Sequence, residues 1–196
     1  MIIAKKHILW VVTSCYLLCA SLPLLATTLF VDPTQSVIKF SSKQLFGYHV
    51  NGEFLGYSVV IKLKDTKTIE RIEAVIDSNS IFTDNSIRDR HLRQERFLDY
   101  KKYDFITFIA EGPILLTDSV VKGKLTIKGI TKEIELPVLF EFLQSSATGQ
   151  LVLSSTIDNI VLNRYDYNIK SFPGLINKDV NINIKLINRV YVQVDK

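Results

Sequence analysis

The densest run of groups able to do chemistry is residues 87–108, IRDRHLRQERFLDYKKYDFITF. It carries Arg88, Asp89, His91, Arg93 and Asp99, with Asp84 just before it. A carboxylate near an imidazole can serve in acid–base work. The surrounding arginines favour ion pairing for these three aspartates instead. Asp89 and Arg93 stand four apart, the spacing at which helical side chains pair. His91 is the best single polar candidate: it can hydrogen-bond a ligand head group, or it can be an ordinary helix contact. Residues 162–169, LNRYDYNI, form a second polar-aromatic stretch. There Arg164 can pair with Asp166 or with the helical segment, and the tyrosines can pack on the end of the fold.

Little else in the chain suggests catalysis. The three histidines are His7, His49 and His91. Distant histidines without cysteine partners do not make a transition-metal site. No GxSxG, HExxH, GxGxxG or P-loop pattern occurs. Without a nucleophile–base pair, the expected protein is not an enzyme and needs no cofactor.

The elements that must position these residues are mostly strands. Apolar and polar residues alternate with period two from Val37 to Val194. Runs are predicted at 37–40, 49–54, 58–63, 71–77, 105–111, 120–128, 132–142, 149–157 and 179–188. Lys128-Gly129 reads as a tight hairpin. The helical segment, about 86–99, is the exception. Ser86 is expected to cap it, with Asp89 in capping-box spacing. Ile87, Leu92, Phe97 and Leu98 are its expected apolar contacts. A segment this short is unstable alone and must dock on the strands, either as a plug or as a gate. Leu92 and Phe97 are the expected anchors, with His91 or Arg88 at a cavity mouth.

Strands joined by short loops point to an all-β antiparallel sandwich or closed barrel. One phase carries Lys62, Arg71, Glu73, Lys122, Lys124, Glu133, Glu135 and Lys185. A charge at mid-bilayer depth costs about 2–4 kcal/mol, so this phase faces water and the apolar phase faces inward. Gly52, Gly123 and Gly149 share the apolar phase with Phe54, Leu125 and Leu151. Inward glycines either leave a cavity unfilled or let coiled strands bend.

The first 26 residues read as a secretory signal. Lys5 and Lys6 form the basic region, an apolar run from Ile8 to Leu25 follows, and cleavage is expected near Ala26. Cys15 and Cys19 would leave with it. Residues 27–196 then form one domain without disulfides. Removing Lys5 and Lys6 from the 24 basic residues leaves 22 against 20 acidic ones, a net charge of +2. That balance, mixed along the strands, does not suit nucleic-acid binding.

At the two polar stretches the chain resembles a known family. Arg88-Asp89-Arg90-His91-Leu92-Arg93, Phe97-Leu98, Tyr103-Asp104 and Thr107-Phe108 are similar to the RDxHLR…FL…YPxxTF pattern of the YceI-like proteins. Residues 123–132, GKLTIKGITK, followed by Leu136-Pro137, resemble that family's hairpin. Asn163-Arg164-Tyr165-Asp166-Tyr167 resembles its NRxDFG stretch. Asp104 stands where proline is common, and Asn168 where glycine is common. The resemblance covers about Asp32 to Asn188. It implies an eight-stranded, lipocalin-like antiparallel barrel, periplasmic after export, holding an isoprenoid chain of quinone or polyprenyl type for carriage, storage or scavenging. Other ligands of the same shape are a fatty acid or amide, and a filled barrel without ligand is the remaining reading. The expected apolar lining is Phe40, Val50, Gly52, Phe54, Gly123, Leu125, Ile127, Phe140, Gly149 and Leu151, and the expected polar mouth is Arg88, His91 and Arg164. A homodimer is an expected assembly, with no membrane span after cleavage.

Overall fold

The computed structural model describes residues 27–144 and 150–190. The expected signal, its cleavage site and Gly149 lie outside the described residues. Twelve strands and one α-helix follow in chain order: β1 Thr27–Val31, β2 Val37–Gln44, β3 His49–Phe54, β4 Tyr57–Leu63, β5 Thr68–Asp77, β6 Ile81–Phe82, α1 Ser86–Leu92, β7 Phe105–Leu115, β8 Val120–Ile127, β9 Ile130–Pro137, β10 Leu139–Gln144, β11 Leu151–Asn163 and β12 Ile176–Val190. Every ladder is antiparallel. The hydrogen-bonded path runs β6-β3-β2-β12-β1-β4-β5-β7-β8-β9, and β11 joins β12 to β10.

Twelve strands stand where eight were expected, several of them parted from the next by only a short break. Both β1 and β2 pair with β12, separated by the turn after Asp32. The Asp32 carboxylate accepts hydrogen bonds from Thr34 and Gln35, which fixes that turn. β3 and β4 are parted only at Leu55-Gly56, and β5 and β6 by a 3-10 turn at Ser78–Ser80. The predicted run 132–142 is split at Val138, so β9 pairs with β8 and β10 with β11. β1, an alternating run of only five residues, is an element the sequence pattern did not single out. The β8–β9 hairpin turns at Lys128 (φ 51°) and Gly129 (φ 73°), the two positive angles of a type I′ turn.

The alternation places one face inward. Val59, Ile61, Ile69, Ala110, Val121 and Leu153 are almost completely buried in one core cluster. Strand β11 breaks the period. Its register shifts between Ile157 and Ile160, with Asn159 at φ 58° and its amide held by the Asn183 side chain. This bulge lets Ile157 and Ile160 both point inward and leaves Val161 exposed.

The helix is shorter than the periodicity suggested: only residues 86–92 are α-helical, and turns carry the chain on to residue 102. Its cap is Asn85, whose side chain accepts from the Arg88 amide, rather than Ser86. Asp89 is buried and accepts from the Thr83 hydroxyl at 2.5 Å. Arg93 donates to the Asn79 and Ile81 carbonyls. The expected Asp89–Arg93 pair therefore does not form: Asp89 ties the helix to the residue after β6, and Arg93 ties it to β6 and the turn before it. Phe97 and Leu98 are buried, Leu92 is half-buried, and Ile87 is exposed.

Candidate functional site

Ten of the twelve strands line one apolar cavity of about 140 Å³. Its wall includes Ile38, Phe54, Ile72, Leu125, Ile127 and Phe140, and Ser155 is its only polar residue. The Ser155 hydroxyl is 3% exposed as a residue and has no hydrogen-bond partner. A second chamber of about 450 Å³ lies above it and shares Phe54, Ile106, Ile127, Leu162 and Ile182 with the first. The upper chamber opens between the Gln44 end of β2, helix α1 and residues 172–176. Its polar lining is Ser42, Gln44, Asn85, Arg88, His91 and Arg164. The interior is thus a two-chamber apolar passage whose polar groups, Ser155 apart, line the outer chamber.

The expected lining residues fall into three groups. Phe54, Leu125, Ile127 and Phe140 line the inner chamber, and Phe40 and Val50 the outer one. Gly52 and Gly123 line neither. A Cβ on Gly52 would stand 2.3 Å from the Phe40 ring, and one on Gly123 2.4 Å from the Phe108 ring. These glycines seat aromatic rings instead of leaving free volume. Leu151 is 65% exposed. It begins β11 opposite Gln144, past the end of the cavity.

The expected polar mouth divides as well. Arg88 and His91 both line the opening. Arg88 is partly committed, its guanidinium donating to the Thr83 hydroxyl and carbonyl. The exposed His91 side chain makes no hydrogen bond among the described residues. Arg164 is buried and donates to three carbonyls, those of Ile169, Ile176 and Asn177. Its guanidinium also stacks 4.8 Å from the Tyr165 ring. Burial pushes its pKa below the usual arginine value. Arg164 acts as a clamp on the mouth wall, and it does not pair with Asp166, which meets Lys132 instead. Asn163 caps the same 3-10 turn through Tyr165, and Asn168 closes it at φ 57°. Asparagine tolerates that left-handed geometry, which accounts for a residue other than glycine there. Ser42, Gln44 and Asn85 are mouth groups that the sequence reading missed, and Ser42 is the least visible of them. Its hydroxyl is buried and unpartnered, and a serine in an ordinary strand alternation carries no signal of that.

Among the described residues no helix is long and apolar enough to cross a membrane. A solved structure of Burkholderia cenocepacia BcnA superposes with a TM-score of 0.68 at 22% identity, covering 80% of this chain and 98% of that one. A polyisoprenoid binding domain from Saccharophagus degradans gives 0.66 at 18% identity, covering 85% and 99%. The Campylobacter jejuni YceI protein gives 0.62 at 26% identity, covering 76% and 90%. A UPF0312 protein of Staphylococcus aureus is 32% identical over 145 residues, 73% of this chain and 82% of its own length. The YceI-like domain model matches residues 30–187. The chain belongs to the YceI-like domain family.

Proposed function

We propose that this protein is an exported, periplasmic lipid-binding protein that holds an isoprenoid chain in its interior passage. The observation that carries the reading is the inner chamber: ten strands supply its wall, and all but one of the residues are apolar. The family supports lipid binding in general terms, and one fold neighbour is described as polyisoprenoid-binding. The ladders support a closed eight-strand barrel. If β1/β2, β3/β4, β5/β6 and β9/β10 each count as one interrupted strand, every strand has two neighbours. The ring is completed by the chain itself across Val138, since β9 and β10 share no ladder.

The chemistry suits a long hydrocarbon with a small polar head. Each buried methylene contributes about 0.8 kcal/mol, so the tail supplies affinity without polar contacts. The head belongs at the mouth, where Ser42, Gln44 and His91 offer hydrogen bonds. Asp89, the buried acid of the helical segment, is engaged by the Thr83 hydroxyl, which favours binding and carriage over catalysis. Mass spectrometry of organic extracts from protein purified from its native host tests the proposal. A quinone or polyprenyl species at near one per protein is expected. A fatty acid or amide would replace the ligand class, and an empty extract would overturn the carrier reading.

Two side-chain tests belong to the same site. His91→Ala is expected to leave the melting temperature unchanged and to reduce the lipid retained through purification. A lowered Tm with unchanged lipid would make His91 a packing residue. Ser155→Val removes an unpartnered buried hydroxyl, which costs about 1–3 kcal/mol, and its methyl groups can enter the chamber. Each kcal/mol shifts Tm by about 2–4 °C in a protein of this size. Delipidated Ser155→Val should therefore melt at least about 2 °C higher by calorimetry. A lower Tm would mean that the hydroxyl has a partner in solution.

A further inference from the structure

The apolar residues outside the passage are not spread evenly around the mouth. The β2–β3 hairpin carries Leu45, Phe46 and Tyr48, all exposed, with Phe46 87% and Tyr48 72% exposed. Around the same opening, Ile87, Phe172 and Leu175 are exposed too. The two loops are joined, since the Leu45 amide donates to the Leu175 carbonyl at 2.8 Å. Ile87 and Phe172 line the outer chamber as well, so this lip continues the apolar wall outward into solvent.

The lip is held out against local preference. Phe46 has φ 62° and Phe172 has φ 53°. Bulky L-residues rarely adopt the left-handed region, and an outlier there points to a retained role. The Phe46 ring gains no burial in return and projects almost wholly into water, whereas the Phe172 ring packs 6.2 Å from that of Phe97.

Charge adjoins the lip on one side. An open cleft beside helix α1 is lined by Arg90, Arg93, Arg96, Lys101, Lys102 and Lys128, against Glu95 and Asp99. This cleft and the lip touch. The Arg96 guanidinium lies 6.0 Å from the Phe172 ring, and the Ser171 hydroxyl donates to the Arg96 carbonyl at 2.6 Å. An apolar tip flanked by cations matches an interface that is apolar inside and anionic at its surface, which is how peripheral segments engage anionic lipid.

We propose that the mouth end docks on an anionic lipid bilayer. The Phe46 hairpin and the Phe172–Leu175 loop enter the headgroup region, and the basic cleft lies against the phosphates. The passage then opens directly onto the membrane, so an apolar chain can move between bilayer and protein without crossing water. The direction of transfer rests on the lipid-carrier reading; the docking itself does not.

The test is flotation of the purified protein with vesicles of phosphatidylcholine alone and of phosphatidylcholine with phosphatidylglycerol. Wild type should float with the anionic vesicles and be released as salt rises. Phe46→Asn, alone or with Leu175→Ser, should reduce the bound fraction at least tenfold. Asparagine accepts the left-handed angle, so Phe46→Asn should melt at or above the parent temperature, and loss of folding cannot mimic the result. Arg96→Glu with Lys101→Glu should abolish the preference for anionic vesicles. Flotation unaffected by Phe46→Asn, or no flotation of wild type, overturns the proposal. Concentration-dependent self-association abolished by Phe46→Asn, without vesicle binding, also overturns it and makes the lip a contact between copies. Lipid in the extract without vesicle binding sinks the docking alone, and vesicle binding with an empty extract sinks the carrier reading alone.

Discussion

Gly123→Leu is expected to lower the Tm by roughly 6–12 °C, with no matching loss of lipid per folded protein. A Cβ at this position would stand 2.4 Å from the tip of the Phe108 ring and 2.7 Å from the Ile109 carbonyl oxygen. The ring is packed in the inner-chamber wall, and the carbonyl belongs to β7, held in its ladder with β8. Overpacking a well-filled site typically costs about 1–3 kcal/mol, occasionally more, and a backbone clash puts this change at the upper end. The conversion to temperature uses about 2–4 °C per kcal/mol. Adding Phe108→Ala to Gly123→Leu should recover part of the loss, because the leucine then occupies the place of the ring. The Ile109 carbonyl stays, so recovery should be incomplete. Non-additivity of this pair, measured as a double-mutant cycle by thermal unfolding, is the signature of direct contact. If Gly123→Leu instead empties the lipid at unchanged Tm, the glycine borders ligand volume.

Most strands were legible because a two-residue period survives in them, although β1 was passed over and β11 breaks the period. His49–Phe54 was read at its actual bounds, and the Lys128-Gly129 turn was visible from the dipeptide alone. Long-range pairing was not legible. That β1 and β2 share β12 depends on the Asp32 turn, and such a break looks like any polar loop. The Asn159 bulge is equally silent: it changes the face of Ile160 without changing composition, so the period that holds up to Ile157 would put the wrong side of β11 inward beyond it. The glycines were misread for a related reason. Phase shows that Gly52 and Gly123 face inward, but only the structure shows the Phe40 and Phe108 rings lying over them. At the mouth, residue type identified Arg88, His91 and Arg164 together. It could not separate a free imidazole from a guanidinium whose donors were already committed to backbone.

That distinction sets the largest expected effect. The Arg164 guanidinium donates at 2.6 Å to the Ile169 carbonyl and at 2.9 Å to those of Ile176 and Asn177. It joins the 3-10 turn after β11 to the start of β12, and Tyr167, Ile169 and Ile176 beside it line the outer chamber. Hydrogen bonds to a charged group contribute about 1.5–3 kcal/mol each, and a buried group left without its partner costs about 1–3 kcal/mol. Arg164→Ala should therefore destabilise by about 4 kcal/mol or more, and lower Tm by at least about 8 °C. Arg164→Lys keeps the charge, but a single ammonium cannot reproduce a planar fork reaching three carbonyls. It should recover less than half of the loss. Because the clamp lines the outer chamber, both variants should also release lipid faster, at temperatures where they remain folded. Thermal unfolding together with lipid off-rates below the transition checks this. If Arg164→Lys matches wild type in Tm while lipid binding falls, the guanidinium contacts ligand directly and the clamp assignment fails.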